Sequence, residues 1–181
     1  MSERVALIGL SGAGKTKVAP KVASRLGCDW IDLDKEIARA AGVDVPALIR
    51  RDGERSFRAR ESAALRTALE EDPRARLVVA CGAGVILDPE SRARLAARAL
   101  TIWLRVSPKT AAARLTAGGK APEAARPLLE GSDPESRLTA LWEARRESYE
   151  TAAAAVVDTD GRTPDEVADL VLARVREAGW A

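Results

Sequence analysis

The chain has 181 residues, 46% of them hydrophobic, which fits one domain with a substantial core. Lys plus Arg total 29 and Asp plus Glu total 27, and the formal net charge of +2 offers no electrostatic basis for binding nucleic acid or a membrane. The chain contains no His, Asn or Gln, which excludes a histidine base, a histidine metal site, a catalytic triad and the Asn-Lys-x-Asp guanine-reading motif of GTPases.

No apolar run is long enough to span a bilayer, and the run that follows Arg4 is too short for a secretory signal peptide. Cys28 and Cys81 have no metal-binding spacing, and two isolated cysteines are typical of reduced thiols in a cytoplasm. We therefore expect a cytoplasmic protein, and we expect it to be a monomer.

The most specific motif is a phosphate-binding loop near the start of the chain. Gly9-Leu10-Ser11-Gly12-Ala13-Gly14-Lys15-Thr16 fits G-x-x-x-x-G-K-[ST], between a predicted strand at Val5–Ile8 and a predicted helix at Lys15–Leu26. In this motif the backbone N–H groups and the helix dipole face a polyphosphate, the lysine reaches the β- and γ-phosphates, and the hydroxyl residue binds Mg²⁺. The residues expected to contact the nucleotide here are Gly12, Ala13, Gly14, Lys15, Thr16 and Lys17.

Two carboxylates follow the predicted second strand, Asp29–Asp32. In a parallel α/β sheet the carboxyl ends of the strands face the ligand crevice. We therefore expect Asp32 to hold Mg²⁺ and Asp34 to orient an acceptor hydroxyl or accept its proton. The alternative for Asp34 is an N-cap of the helix predicted at Lys35–Ala41.

The middle of the chain offers candidates for binding an acceptor. Arg58 lies in a long helix predicted from Gly53 to about Glu71, and it suits bidentate binding of a carboxylate, with Glu61 one turn later to fix its orientation. Taken alone, this pair also fits surface decoration. A predicted buried strand at Leu77–Ala80 ends in Gly82-Ala83-Gly84, where a ligand can touch the backbone.

The second half of the chain continues the alternation of strands and helices. Thr116–Ala125 is the most loop-like stretch, and it is predicted to be a mobile lid that carries Arg126 over the phosphates. Ser132–Glu135 is predicted to be a capping box for a helix that reaches Ala152. The alternation predicts an α/β fold, a three-layer sandwich with a parallel sheet.

These motifs, in this order, resemble the shikimate kinases, a nucleoside-monophosphate-kinase-like family of P-loop enzymes. The resemblance runs from Arg4 to about Val175. Beyond the P-loop, the segments that carry it are Asp32-Leu33-Asp34, Phe57-Arg58, Gly82-Ala83-Gly84, Arg126-Pro127-Leu128-Leu129, Arg145 with Ser148-Tyr149, and Val157-Asp158-Thr159.

The resemblance implies a single kinase domain over 1–181, with five strands in the order 2-3-1-4-5, substrate-binding helices at about 33–61 and a lid at about 116–126. It implies transfer of the ATP γ-phosphoryl group to the 3-hydroxyl of shikimate, with Mg²⁺ on Thr16 and Asp32. By resemblance, Lys15 and Arg126 neutralise charge on the transferred group and Arg162 packs against adenine. The implied acceptor-binding residues are Asp34, Arg58, Gly82, Ala83, Gly84 and Arg145.

Four departures from the family pattern bear on the acceptor and the phosphates. Ala83 stands where a third glycine is usual, and it would strain the loop by roughly 1 kcal/mol if its φ were positive. Lys17 replaces a hydroxyl residue, Pro20 is unusual in the first helix, and Arg146 adds a cation beside Arg145. A related acceptor of a secondary pathway, such as an aminoshikimate, a cyclitol or a sugar acid, therefore stays open, as does a non-catalytic nucleotide-binding protein.

Overall fold

The computed structural model describes residues 3–74, 76–117 and 133–179. Five strands form one sheet in the order β2-β3-β1-β4-β5, and every neighbouring pair is parallel. The strands are β1 (Glu3–Ile8), β2 (Asp29–Asp32), β3 (Arg76–Ala80), β4 (Leu100–Arg105) and β5 (Ala155–Asp158). The predicted strand order and the predicted α/β class are therefore confirmed.

Helices connect the strands and cover the sheet. They are α1 (Lys15–Leu26), α2 (Leu33–Ala41), α3 (Val45–Asp52), α4 (Glu54–Arg66), α5 (Pro89–Arg98), α6 (Pro108–Ala117), α7 (Pro134–Ala152) and α8 (Pro164–Glu177). Helix α1 packs against α8, while α7 packs against α5 and α6. The central strands β1 and β3 are almost wholly buried from Val5 and Leu77 onwards, as expected for a parallel sheet between two helical layers.

Three local predictions need correction. The helix predicted at Lys35–Ala41 begins earlier, at Leu33, and its N-cap is Asp32, which accepts from the N–H groups of residues 34 and 35. This excludes the alternative in which Asp34 is the cap. The cap of α7 is Asp133, which accepts from the N–H of Ser136, so the predicted box from Ser132 is wrong.

The third correction concerns the last turn, not the end, of the long helix predicted from residue 53 to about Glu71. Helix α4 ends at Arg66 and continues as a π-helical segment, Thr67–Glu71. The buried Arg4 side chain donates to the carbonyl oxygens of Ala68 and Asp72, at 3.2 Å and 2.9 Å. The π-helical turn and the residue after it thus supply carbonyl oxygens that accept hydrogen bonds from the Arg4 guanidinium. The sequence pattern alone does not predict that Arg4 is buried.

The register of the sheet brings the segments that follow three strands to the same edge. Leu7 of β1 and Asp32 of β2 both pair with Ala80 of β3. The segments that follow these three strands therefore leave the sheet side by side: the phosphate loop, the Asp32–Asp34 turn and the Gly82–Gly84 turn. A small separate apolar cluster of Ile37, Leu48 and Phe57 holds α2, α3 and α4 together beside this edge.

Candidate active site

The phosphate loop has the tight backbone that the motif predicts. Gly12 has φ +85°, and a side chain there would place Cβ 2.7 Å from the carbonyl oxygen of Ala111, so only glycine fits. Lys15 Nζ donates to the carbonyl oxygens of Gly9 and Leu10, at 2.6 Å and 2.9 Å. The ammonium group therefore lies over the loop, where phosphates would meet it.

A cleft of about 420 Å³ opens at this edge of the sheet. Every described residue that was predicted to contact the nucleotide lines it: Gly12, Ala13, Gly14, Lys15, Thr16, Lys17 and Arg162. The walls also include Asp32, Asp34 and Ala83 from the two neighbouring strand ends. The cleft thus joins the predicted phosphate site to part of the predicted acceptor site.

Asp32 connects the phosphate helix to α2. Its Oδ2 accepts a hydrogen bond from the Thr16 hydroxyl at 2.6 Å, and its Oδ1 accepts from the backbone N–H of Asp34 at 3.1 Å. Asp32 is only 8% exposed, so its orientation is fixed from both sides. A hydroxyl and a carboxylate held together in this way are hard oxygen donors of the kind Mg²⁺ prefers.

A second cluster of charges lies on α4. Arg58 Nη1 donates to Glu61 Oε2 at 2.6 Å, and Nη2 donates to Glu54 Oε1 at 3.1 Å. The Glu61 side chain is 3% exposed and the Glu54 side chain 49% exposed. This pair is therefore not surface decoration, because one partner is fully buried.

Burial opposes the negative charge of Glu61 in this cluster. Burial raises the pKa of Glu61, the neighbouring Asp34 charge adds to that rise, and Arg58 opposes it. Glu61 Oε1 and Arg58 Nε are buried and make no hydrogen bond among the described residues. Buried polar atoms are nearly always paired in native proteins, so two adjacent orphans indicate a place where a ligand or water binds.

The glycine turn after β3 is enclosed by these charged groups. A Cβ on Gly82 would lie 2.0 Å from Glu61 Oε1 and 2.9 Å from Asp34 Oδ1. A Cβ on Gly84 would lie 2.1 Å from Arg58 Nη1. A side chain at either glycine would displace the charged groups, so the turn brings Asp34, Glu61 and Arg58 around one short piece of backbone.

Arg145 reaches the same turn from α7. It is 7% exposed, and its Nη1 donates to the Ala83 carbonyl oxygen at 3.3 Å. The structure thus places both predicted carboxylate-binding arginines against the turn. Arg146 does not join them: it lies over the Trp142 ring at 5.4 Å and pairs with Glu150 at 3.1 Å, because successive helical residues point about 100° apart.

The Ala83 substitution causes no backbone strain. Within the described ranges every residue with positive φ is a glycine, so Ala83 has an ordinary backbone conformation. The methyl group therefore fits this position.

Arg114 is a cleft residue that the sequence did not reveal. Its Nη1 donates to the carbonyl oxygen of Gly12 at 3.3 Å and to the Thr159 hydroxyl at 3.0 Å. It thereby ties the phosphate loop to the turn before α8, beside Arg162 and Pro164 in the cleft wall. No motif surrounds it, and an arginine in the last turn of a helix is common for electrostatic reasons alone.

Two predictions stay outside these observations. The predicted start of the lid at Thr116 is wrong, because Thr116 and Ala117 form the end of α6. Arg126 and the rest of the lid, from residue 118 onwards, lie outside the described residues. None of the helices in the described ranges has the length and apolar character that crossing a membrane requires.

Comparisons with known proteins agree with one another. The family model for shikimate kinase matches residues 11–176. A shikimate kinase of Synechococcus sp. (strain CC9605) is 41% identical over 166 residues, covering 92% of this chain and 79% of the relative. One from Thermobifida fusca (strain YX) is 41% identical over 173 residues, covering 96% of this chain and 95% of the relative. The solved structure of shikimate kinase from Acinetobacter baumannii in complex with shikimate has a TM-score of 0.89 at 29% identity, covering 98% of this chain and 95% of that one.

The buried pair on α4 predicts unequal roles for the two carboxylates that hold Arg58. Glu61→Gln removes the buried charge that orients the guanidinium, and we expect the dissociation constant for shikimate to rise about tenfold. Glu54→Gln changes the exposed pair to the same guanidinium, and we expect less than about a threefold effect. Calorimetric titration of both variants checks this, and equal effects would contradict the assigned role of Glu61.

Proposed function

The chain belongs to the shikimate kinase family, and we propose that it transfers the γ-phosphoryl group of ATP to the 3-hydroxyl of shikimate. This reaction serves aromatic amino-acid biosynthesis through chorismate. The observation that carries the proposal is the arrangement at one edge of the sheet. A phosphate loop there lies next to a glycine turn that contacts two largely buried arginines, Arg58 and Arg145.

The phosphate loop is the proposed donor site. The backbone N–H groups from Gly12 to Thr16 face the β- and γ-phosphates at the N-terminus of α1. Lys15 exchanges its carbonyl partners for phosphate oxygens and stabilises the charge on the transferred group. Lys17 lines the same cleft and adds a second cation. Arg114 and Arg162 frame the adenine, and Arg126 is proposed from the family resemblance to complete the charge stabilisation.

We assign Mg²⁺ to Thr16 and Asp32. The described residues contain no group of three or more His, Cys, Asp or Glu side chains close enough to hold a metal ion. A site with few protein ligands suits Mg²⁺ because this ion keeps several waters and takes the remaining ligands from substrate phosphates. When bound, it would neutralise charge on the β- and γ-phosphates.

Asp34 and the arginines are the proposed acceptor site. Phosphoryl transfer needs little covalent chemistry from the protein, so positioning of the acceptor hydroxyl supplies much of the rate. Asp34 lies beside Gly82 in the cleft wall, from where its carboxylate orients the hydroxyl and takes its proton. Arg58 and Arg145 hold the acceptor carboxylate, while Gly82, Ala83 and Gly84 supply backbone contacts.

Ala83 and Arg146 are the two sequence features that left other acceptors open. Ala83 has no positive φ, so its backbone can offer the acceptor the same contacts as a glycine at this position. Arg146 is occupied by Trp142 and Glu150 on the exposed side of α7. Neither feature now favours an aminoshikimate, a cyclitol or a sugar acid over shikimate.

We also propose a monomer that acts in the cytoplasm, with one kinase domain over 1–181. Among the described residues neither Cys28 nor Cys81 forms a disulfide, which fits a reducing compartment. The separate apolar cluster under α2, α3 and α4 supports the assignment of about 33–61 to acceptor binding, because it packs these three helices together beside the Gly82–Gly84 turn. The rest of the lid, from residue 118 to about 126, is proposed from the family resemblance.

The metal assignment predicts different outcomes for two substitutions at Thr16. Thr16→Ser keeps the hydroxyl donor, and we expect nearly unchanged dependence of the rate on Mg²⁺. Thr16→Val has similar volume but no oxygen ligand, and we expect the Mg²⁺ concentration for half-maximal rate to rise at least about tenfold. Rate measurements across a Mg²⁺ series test this, and matching curves for the two variants would contradict the assignment.

The proposed reaction is tested by ADP release with Mg·ATP and a panel of shikimate, aminoshikimate, quinate and gluconate. We expect fast, saturable turnover with shikimate and much slower turnover with the others. Preference for another acceptor would keep the phosphoryl transfer and move the enzyme to a different substrate. Tight ATP binding without turnover on any acceptor would contradict the proposal and favour a non-catalytic nucleotide-binding protein.

A further inference from the structure

The peptide group between Ala83 and Gly84 is held by two donors from α7. Tyr149 Oη donates to the Ala83 carbonyl oxygen at 2.6 Å, and Arg145 Nη1 donates to the same oxygen at 3.3 Å. All described peptide bonds are trans, so the N–H of Gly84 points away from α7 when the Ala83 carbonyl points towards it. The two bonds to one oxygen therefore set the direction of both polar groups of this peptide.

This peptide is the central one of a type I turn. The N–H of Val85 donates to the carbonyl oxygen of Gly82 at 3.3 Å, which closes a four-residue turn. Gly84 has φ −102° and ψ −3°, and Ala83 has no positive φ, which together match type I. A type II turn differs by rotation of the central peptide and needs positive φ at the third residue. That residue is Gly84, so the rotated turn is sterically accessible.

Tyr149 is well placed to decide between the two turns. It is 0% exposed, and its ring stacks on Trp103 with 5.5 Å between centroids and 11° between planes. Burial raises the pKa of the Tyr149 hydroxyl, so the group stays protonated and remains a donor. The ring is therefore fixed by packing, and its hydroxyl offers one direction for the Ala83 carbonyl.

We propose that Tyr149 is a positioning residue for the acceptor, whose hydroxyl holds the Gly82–Val85 turn in its type I form. In the rotated form the Ala83 carbonyl oxygen would face away from α7, towards the acceptor. The Gly84 N–H would then point towards α7 and could no longer contact the acceptor. A carbonyl oxygen on the acceptor side would repel the carboxylate of the acceptor, which can only accept hydrogen bonds. This inference rests on the proposed function, since it assigns the turn to acceptor binding.

Tyr149→Phe tests the inference because it keeps the stacked ring and removes only the donor. We expect the KM for shikimate to rise about tenfold, the KM for ATP to stay within about twofold, and kcat to change little. Thr101→Val is the matched control, because it also removes one buried hydroxyl donor. Thr101 lies in β4, and its hydroxyl donates to the Leu95 carbonyl oxygen at 3.4 Å. We expect that control to leave both KM values unchanged.

An unchanged KM for shikimate in Tyr149→Phe would overturn the inference, and so would equal rises in both KM values. A wild-type enzyme that does not phosphorylate shikimate would instead contradict the proposed function, so the two failures are distinguishable.

A second measurement does not depend on the stability of the variant. Tyr149 is the only tyrosine in the chain, so biosynthetic 3-fluorotyrosine labels this position alone. We expect a single ¹⁹F resonance that shifts when shikimate is added in the presence of ADP, because the hydroxyl and the acceptor contact the same turn. A resonance that shikimate does not move would overturn the inference.

Discussion

One carboxylate joins the donor and acceptor halves of this protein. Asp32 accepts a hydrogen bond from the Thr16 hydroxyl with one oxygen and caps α2 with the other, so it fixes α1, which begins at the phosphate loop, to α2. It reaches both because β2 ends beside β3, which in turn ends beside β1. Without the 2-3-1 order of these strands, the phosphate loop and Asp34 would not share a cleft. The sheet order is therefore the constraint on which the proposed transfer depends.

The acceptor side contains an ion pair that keeps two buried atoms without a hydrogen bond among the described residues. Arg58 and Glu61 form a pair with one buried member, and each keeps a buried atom without a hydrogen bond among the described residues. Pairs of this kind cost desolvation free energy and are poor stabilisers of a fold. Their placement against Gly82 and Gly84 preorganises the acceptor site, because an anionic acceptor then meets an Arg58 guanidinium that is already largely desolvated and is oriented by Glu61.

Much of the fold followed from the sequence because its signals are local. The phosphate loop, β2 and α1 have the predicted bounds, and the strand order came from the family resemblance. The errors arose where several side chains compete for one backbone role. Asp32 rather than Asp34 caps α2, and Asp133 rather than Ser132 caps α7. Arg114 was missed because its partners are carbonyl oxygens far along the chain, and no spacing rule reports such contacts.

The central claim is that two arginines against a glycine turn make the acceptor carboxylate the recognised group. The most direct test compares kcat/KM for shikimate with kcat/KM for its methyl ester, in the wild type and in Arg58→Ala. We predict that the wild type prefers shikimate by about 100-fold or more, since the neutral ester lacks the charge that Arg58 and Arg145 bind, and that Arg58→Ala loses most of that preference. Equal kcat/KM for the two compounds in the wild type would contradict the account.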